Sequence, residues 1–141
     1  DAELIQDSFA SLAPVMHEVV DRFYDRLFAA QPRLRALFPA DMKLQKDHFI
    51  AALGTAVSHA HDLAAIETPL REMGARHVRY GATPDLYRVV GAELVGAVEE
   101  IARRESPTDW TPDHARAWTR TVDAIAAAML RGAQGSGTAS A

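Results

Sequence analysis

In the stretch Leu70-Arg71-Glu72-Met73-Gly74-Ala75-Arg76-His77-Val78-Arg79-Tyr80-Gly81, residues Leu70, Met73, Gly74, His77 and Val78 recur at i, i+3, i+4, i+7 and i+8. That is the spacing of one face of an α-helix, so a histidine falls in the middle of an otherwise apolar face and its imidazole points inward. Taken alone, the pattern fits two arrangements. One is a core histidine satisfied by a single hydrogen bond to a neighbouring carbonyl; the other is a ring nitrogen offered to something held in the interior.

Working outward, Thr68-Pro69 predicts the start of this helix, as an N-cap followed by proline at the first helical position, and Gly81 predicts its stop. Thr83-Pro84 repeats the start signal for a long helix to about Arg104, with Leu86, Val90, Leu94, Ala97, Val98 and Ile101 on its inner face. Thr111-Pro112 opens the last helix, striped by Trp118, Val122, Ile125, Ala126 and Met129. From Gly132 to Ala141 there is little to bury, so residues 1–131 read as one domain and 132–141 as a disordered tail.

On the other side, a helix is expected from about Lys43 to Ala64. Its wheel places Phe49, Ala52, Leu53, Ala56, Ala60 and Leu63 within roughly 80° of Gln45. Gln45 is thus a polar residue on an apolar stripe: either a boundary residue still reached by water or an amide aimed into the interior. Small side chains at 52, 56 and 60 admit a second helix or a flat ligand. Phe38-Pro39-Ala40-Asp41-Met42 reads as a corner anchored by an aromatic, and Pro32 to Leu37 as a single turn. Before it, Val15 to Ala30 is strongly periodic, with Met16, Val19, Val20, Phe23 and Leu27 inward and Tyr24 and Phe28 on the shoulder, and Asp1 to Ala13 forms a short first helix stopped by Pro14. No strand and no internal repeat is expected; the chain is all-α, and its unequal helices do not suit an up-down four-helix bundle.

The 141 residues suffice for one domain with a real core. Fifteen Lys and Arg interspersed with 19 Asp and Glu give a net charge of −4, which argues against a nucleic-acid or anionic-membrane footprint. With no cysteine, disulfides, iron–sulfur clusters, thiolate zinc sites and cysteine nucleophiles are all excluded. No apolar run reaches the ~20 residues of a membrane span, the first residues lack the features of a signal peptide, and a cytoplasmic location is expected. His48 and His59 lie about 16 Å apart along one helix, too far to share a metal, and with His17, His61 and His114 they read as surface or boundary residues. An inward imidazole, with the polar groups of Tyr24 and Gln45 aimed into an apolar, helix-lined interior, suits a flat apolar cofactor. Its iron would take a protein nitrogen on one side and a small gas on the other.

The segments Phe23-Tyr24-Asp25-Arg26-Leu27-Phe28, Leu34-Arg35-Ala36-Leu37-Phe38-Pro39, Arg76-His77-Val78-Arg79-Tyr80-Gly81 and Tyr87-Arg88-Val89-Val90-Gly91 occur in this order, followed by Trp110-Thr111-Pro112 and Ala117-Trp118. Together they resemble bacterial single-domain globins of the Vitreoscilla type and the haem domains of flavohaemoglobins, over about Leu4 to Leu130. The resemblance implies a globin fold, a three-over-three helical sandwich with a short or absent D helix, around haem b. It makes His77 the proximal iron ligand, the only metal ligand from the protein, and Phe38 the corner residue that packs on the porphyrin. Tyr24 and Gln45 become the distal pair that donates hydrogen bonds to bound oxygen, with Gln45 and His77 32 residues apart. Phe49 stands where a leucine is commoner, which tightens the pocket. Ala52, Leu53, Met73, Arg76, Tyr80, Tyr87 and Val90 complete the expected haem-contacting set; Tyr87 matches a tyrosine of the hydrogen-bonded network behind the ligand, and Arg76 or Arg79 faces the propionates.

The ligands implied are O₂, NO and CO, in a monomer or weak homodimer. Reversible O₂ binding is the leading function, with conversion of NO to nitrate conditional on a separate reductase. The rivals are a gas-sensor domain cut from a signalling protein and a helical regulatory module that has lost haem. Ferrous iron is expected five-coordinate, because glutamine is a poor ligand; Tyr24 on ferric iron and a swung-in His48 are the alternatives. One departure stands out. Flavohaemoglobins place a glutamate behind the proximal histidine near the end of the last helix, whereas this chain has no acidic residue after Asp123. His77 is therefore expected to be a neutral imidazole whose N–H meets a backbone carbonyl.

Overall fold

The computed structural model describes residues 1–140, with side chains through residue 134. Six α-helices and no strand occur among the described residues: α1 (Ala2–Leu12), α2 (Met16–Ala30), α3 (Lys43–Ser58), α4 (Glu67–His77), α5 (Pro84–Glu105) and α6 (Pro112–Ser140). Short 3₁₀ turns join α1 to α2 and lie at Pro32–Leu37, Leu63–Ile66 and Val78–Tyr80. No helix lies between the corner at 38–42 and α3, so the D helix is absent.

The expected helical faces make the packing. Helix α2 packs on α5 and α3, α5 on α6, and α1 on α6 and α3, with α4 seated most extensively on α6. Phe23, Val19, Val20, Ile5, Val98 and Trp118 are fully buried and form the centre of the main core. Burying side chains of this size contributes about 1.5–3 kcal/mol each. Trp118 also spends its one donor, Nε1–H to Ser8 Oγ at 2.9 Å, which ties α6 to α1. Outside the core, Arg22–Glu100 (2.6 Å), Arg26–Glu93 (3.0 Å) and Arg104–Glu18 (2.5 Å) bridge α2 and α5 at the surface. No helix among the described residues is long and apolar enough to cross a membrane.

Three expected boundaries move. Helix α3 stops at Ser58 rather than near Ala64, because Ser58 Oγ and His59 Nδ1 both take the carbonyl of Thr55, at 2.8 and 2.9 Å. Side chains that capture backbone carbonyls compete with the next helical turn. Helix α4 starts at Glu67, not after a Thr68 cap; the turn at Leu63–Ile66 runs straight into it, and Pro69 occupies a first-turn position where its missing N–H is not needed. At the far end, the tail expected from Gly132 begins too early. Helix α6 continues through Gly132, which is buried against the Arg71 carbonyl of α4; the side chains of 135–140 and all of Ala141 lie outside the described residues. By contrast, Thr83 caps α5 as expected, its Oγ1 accepting from the Leu86 N–H at 3.2 Å ahead of Pro84.

Candidate functional site

Helix α4 delivers His77 at its last turn. The chain then reverses at Gly81, the one described residue with positive φ (+79°), where Gly81 N–H meets Val78 O and Ala82 N–H meets His77 O. This paired arrangement is the glycine-ended helix stop, and it fixes the backbone that carries the imidazole. His77 Nδ1 lies 2.7 Å from Met73 O. A carbonyl only accepts, so Nδ1 bears a proton and donates it, while Nε2 has no protein partner among the described residues. One nitrogen of the ring is thus satisfied by a carbonyl, the first of the two arrangements the sequence allows. Tyr80 stands edge-on to the imidazole at 6.1 Å.

A second group forms between α2 and α3. Gln45 Nε2 donates to Tyr24 Oη at 3.1 Å, joining residues 21 apart in the chain. Because the phenol accepts this bond, its own proton is left to donate elsewhere. Tyr24 is 3 % exposed and held in a cage of rings, with Phe23, Phe28, Phe38 and Phe49 at 4.9, 5.7, 5.6 and 5.8 Å. Burial pushes its phenol above the ordinary tyrosine value, against the pull of the hydrogen bond from Gln45. Phe49 stacks on Phe23 at 4.9 Å, so its ring belongs to the wall that fixes Tyr24.

Phe38 owes its place to Arg35, a residue the sequence reading leaves without a role. The Arg35 guanidinium donates to the carbonyls of Phe38, Pro39 and Ala40 at 3.2, 3.0 and 3.1 Å and lies over the Phe28 ring at 5.5 Å. A corner without helical partners exposes consecutive carbonyls, and an arginine three residues before it is the signal that finds this brace.

Phe38, Phe49, Leu53 and Val90 belong to or pack on the main core that contains Tyr24, whereas Met73 and Tyr87 pack on a separate cluster with Leu70, Ala128 and Met129. Ala52 and Arg76 are exposed and take no part in either. Tyr87 is in place without the network the resemblance implies: its buried hydroxyl finds no partner among the described residues, and burial raises its pKa. His48 is exposed.

These residues fit a haem. The donor set is one imidazole with its second nitrogen already tied to a carbonyl, as metal-bound histidines usually are. The core is divided into two apolar clusters, and Leu37 (48 %), Val78 (41 %) and Tyr80 (58 %) are large apolar side chains exposed near the corner and the histidine turn.

A model of the globin family, described as Globin, matches residues 21–129. Over 129 residues the chain is 28 % identical to Flavohemoprotein B of Dictyostelium discoideum, covering 91 % of this chain and 30 % of that protein. It is 25 % identical over 133 residues to Anaerobic nitrite reductase NSHB5 of Oryza sativa subsp. japonica, covering 90 % of this chain and 89 % of that protein. The chain thus spans about a third of the length of the flavohemoproteins it matches but nearly all of the plant relative. Among solved structures, a bacterial globin from Campylobacter jejuni shares the fold with a TM-score of 0.80 at 18 % identity, over 95 % of this chain and 94 % of that one.

Proposed function

The chain belongs to the globin family, whose members bind small gases at haem, and on that premise we propose that it holds haem b through His77 and binds O₂ reversibly, with Tyr24 and Gln45 on the ligand side. The observation that carries this reading is the 3.1 Å bond from Gln45 to Tyr24 inside an aromatic cage, which leaves a phenolic proton uncommitted. Haem, when bound, supplies a ferrous iron that takes O₂, NO or CO as an exchangeable ligand.

The protein's part is positional and electrostatic. Tyr24 donates a hydrogen bond to a ligand that gains negative charge, and the surrounding rings keep water from competing for that proton. Gln45 fixes the phenol's orientation rather than replacing it. His77 bonds to a carbonyl, a weaker acceptor than a carboxylate, so it donates electrons to the iron only modestly. That balance suits holding a ligand over activating it. Turnover of NO to nitrate on this site rests on electrons delivered by a separate reductase, with O₂ and NO supplying the atoms of the product.

Optical spectra of the ferric, ferrous and oxygenated protein test the reading. The expected result is a five-coordinate ferrous form and a lasting oxygenated one; a protein that takes up no haem, or a six-coordinate ferrous form, would overturn it. The raised Tyr24 pKa adds a pH signature. The phenol keeps its proton below its folded-state pKa, which lies above the ordinary 10.0, so the donor is lost only as pH climbs past that value. The O₂ dissociation rate, followed by stopped flow, is expected to stay flat from about pH 7 to the ordinary tyrosine value of 10.0 and to rise only beyond it. A rise with its midpoint below 10.0 would mean that another group controls release.

A further inference from the structure

Helices α4 and α6 meet at three points within two turns. Gly74 is buried so close to α6 that a Cβ there would overlap the carbonyl of Met129, and Gly132 is buried so close to α4 that a Cβ there would overlap the carbonyl of Arg71. Both obstacles are backbone, which has no rotamer by which to turn aside. Beside them Arg131 makes a two-pronged pair with Glu67, Nε to Oε2 at 3.0 Å and Nη2 to Oε1 at 2.7 Å.

On α4 the three positions, 67, 71 and 74, fall at i, i+4 and i+7 on one face, and the two glycine contacts, 71 with 132 and 74 with 129, run in opposite directions along the two helices. The two helices therefore form an antiparallel clasp with a glycine on each side. A packed surface resists sliding only weakly, whereas reciprocal glycines seated on each other's backbone fix both separation and register. The planar fork of Arg131 adds a directional bond at the open end of the contact.

Helix α4 also carries His77, three residues past Gly74, and its imidazole is held by the carbonyl of Met73 on the same helix. We propose that Gly132 and Arg131 are positioning residues for the proximal histidine. By fixing α4 on the end of α6, they set where His77 Nε2 stands. This rests on His77 being the iron ligand. Both residues lie beyond the 21–129 span matched by the family model, and Gly132 lies in what composition assigns to the tail. The end of α6 is therefore a working part of the site.

The test uses the whole chain with haem bound, reading the iron–histidine stretching band of the ferrous protein for the proximal side and the C–O stretch of the CO complex for the distal side. Gly132→Ala forces α4 away from α6. It is expected to shift and broaden the iron–histidine band and to speed haem loss to a scavenger protein by about tenfold or more, while the C–O stretch stays in place. Arg131→Glu, a surface change that spares the fold, is expected to move the same band in the same direction, and Glu67→Arg combined with Arg131→Glu to return it. An unmoved iron–histidine band in Arg131→Glu, or proximal and distal bands moving together, would overturn the proposal. A wild-type protein with no iron–histidine band would instead overturn the assignment of His77 on which it rests.

Discussion

Replacing Tyr24 by Phe is expected to raise the O₂ dissociation rate by about ten- to a hundredfold. A hydrogen bond to an acceptor carrying charge is worth about 1.5–3 kcal/mol, and when it exists only in the bound state its loss falls on the off-rate. The substitution removes one oxygen and keeps the ring, so the cage formed by Phe23, Phe28, Phe38 and Phe49 keeps its packing. One compensation limits the effect. The Gln45 amide now donates into Tyr24 Oη, and once that acceptor is gone it is released to reach the ligand itself. Tyr24→Phe with Gln45→Leu is therefore expected to exceed the single change, whereas Gln45→Leu alone costs less than Tyr24→Phe. CO, which gains little charge, supplies the control: its dissociation is expected to change by less than about threefold, as for the loss of a weak neutral contact. Stopped-flow displacement of each gas decides the matter, and an O₂ rate unchanged in Tyr24→Phe removes the phenol from this role.

Much of the scaffold behind that pair is legible in the chain, because it rests on local rules. The inward face of α2, the Thr83-Pro84 start of α5 and the Gly81 stop after α4 each follow from spacing, a capping hydroxyl or a left-handed backbone, and each stands where expected. The placing of His77 at the last turn of α4 is equally local. The joining of Tyr24 to Gln45 is not: periodicity points both residues at the interior, but only the packing of α2 against α3 sets the 3.1 Å between them. Likewise, nothing in the composition of 132–134 distinguishes a tail from a helix end, since the close seat of Gly132 against a carbonyl of α4, sixty-one residues away in sequence, is set only by packing. The early end of α3 was written in Ser58 and His59, whose side chains bind Thr55 O, but an apolar stripe running on to Ala60 and Leu63 outweighs them in a periodicity argument. Ala52 shows the reverse error, a residue on the right face of the wheel that the packing leaves exposed. Tyr87 shows a third kind of gap. The resemblance implies a hydrogen-bonded network for its hydroxyl, and no partner stands there among the described residues.

The largest loss is expected on the proximal side. His77→Gly removes the one ring nitrogen offered to iron, and haem retention is expected to fall by more than the roughly 10–100-fold that follows from removing a partner behind a metal ligand. The protein itself has little reason to unfold. His77 is half-buried at the last turn of α4, its side chain bonds only to Met73 O on its own helix, and a glycine at a helix end costs at most about 1 kcal/mol. The substitution also leaves the Gly81 stop intact, because that stop uses the main-chain carbonyls of His77 and Val78. Haem loss and fold loss are therefore separable, and far-UV circular dichroism of the variant is expected to match that of the wild type while the haem absorption weakens. Added imidazole enters the space that the side chain leaves, supplies the missing nitrogen without the covalent link, and is expected to restore a five-coordinate ferrous spectrum. If instead His77→Gly held haem with unaltered coordination in the absence of imidazole, some other group would be bearing the iron, and neither the distal geometry of Tyr24 nor the clasp between α4 and α6 would have the proximal anchor on which their roles depend.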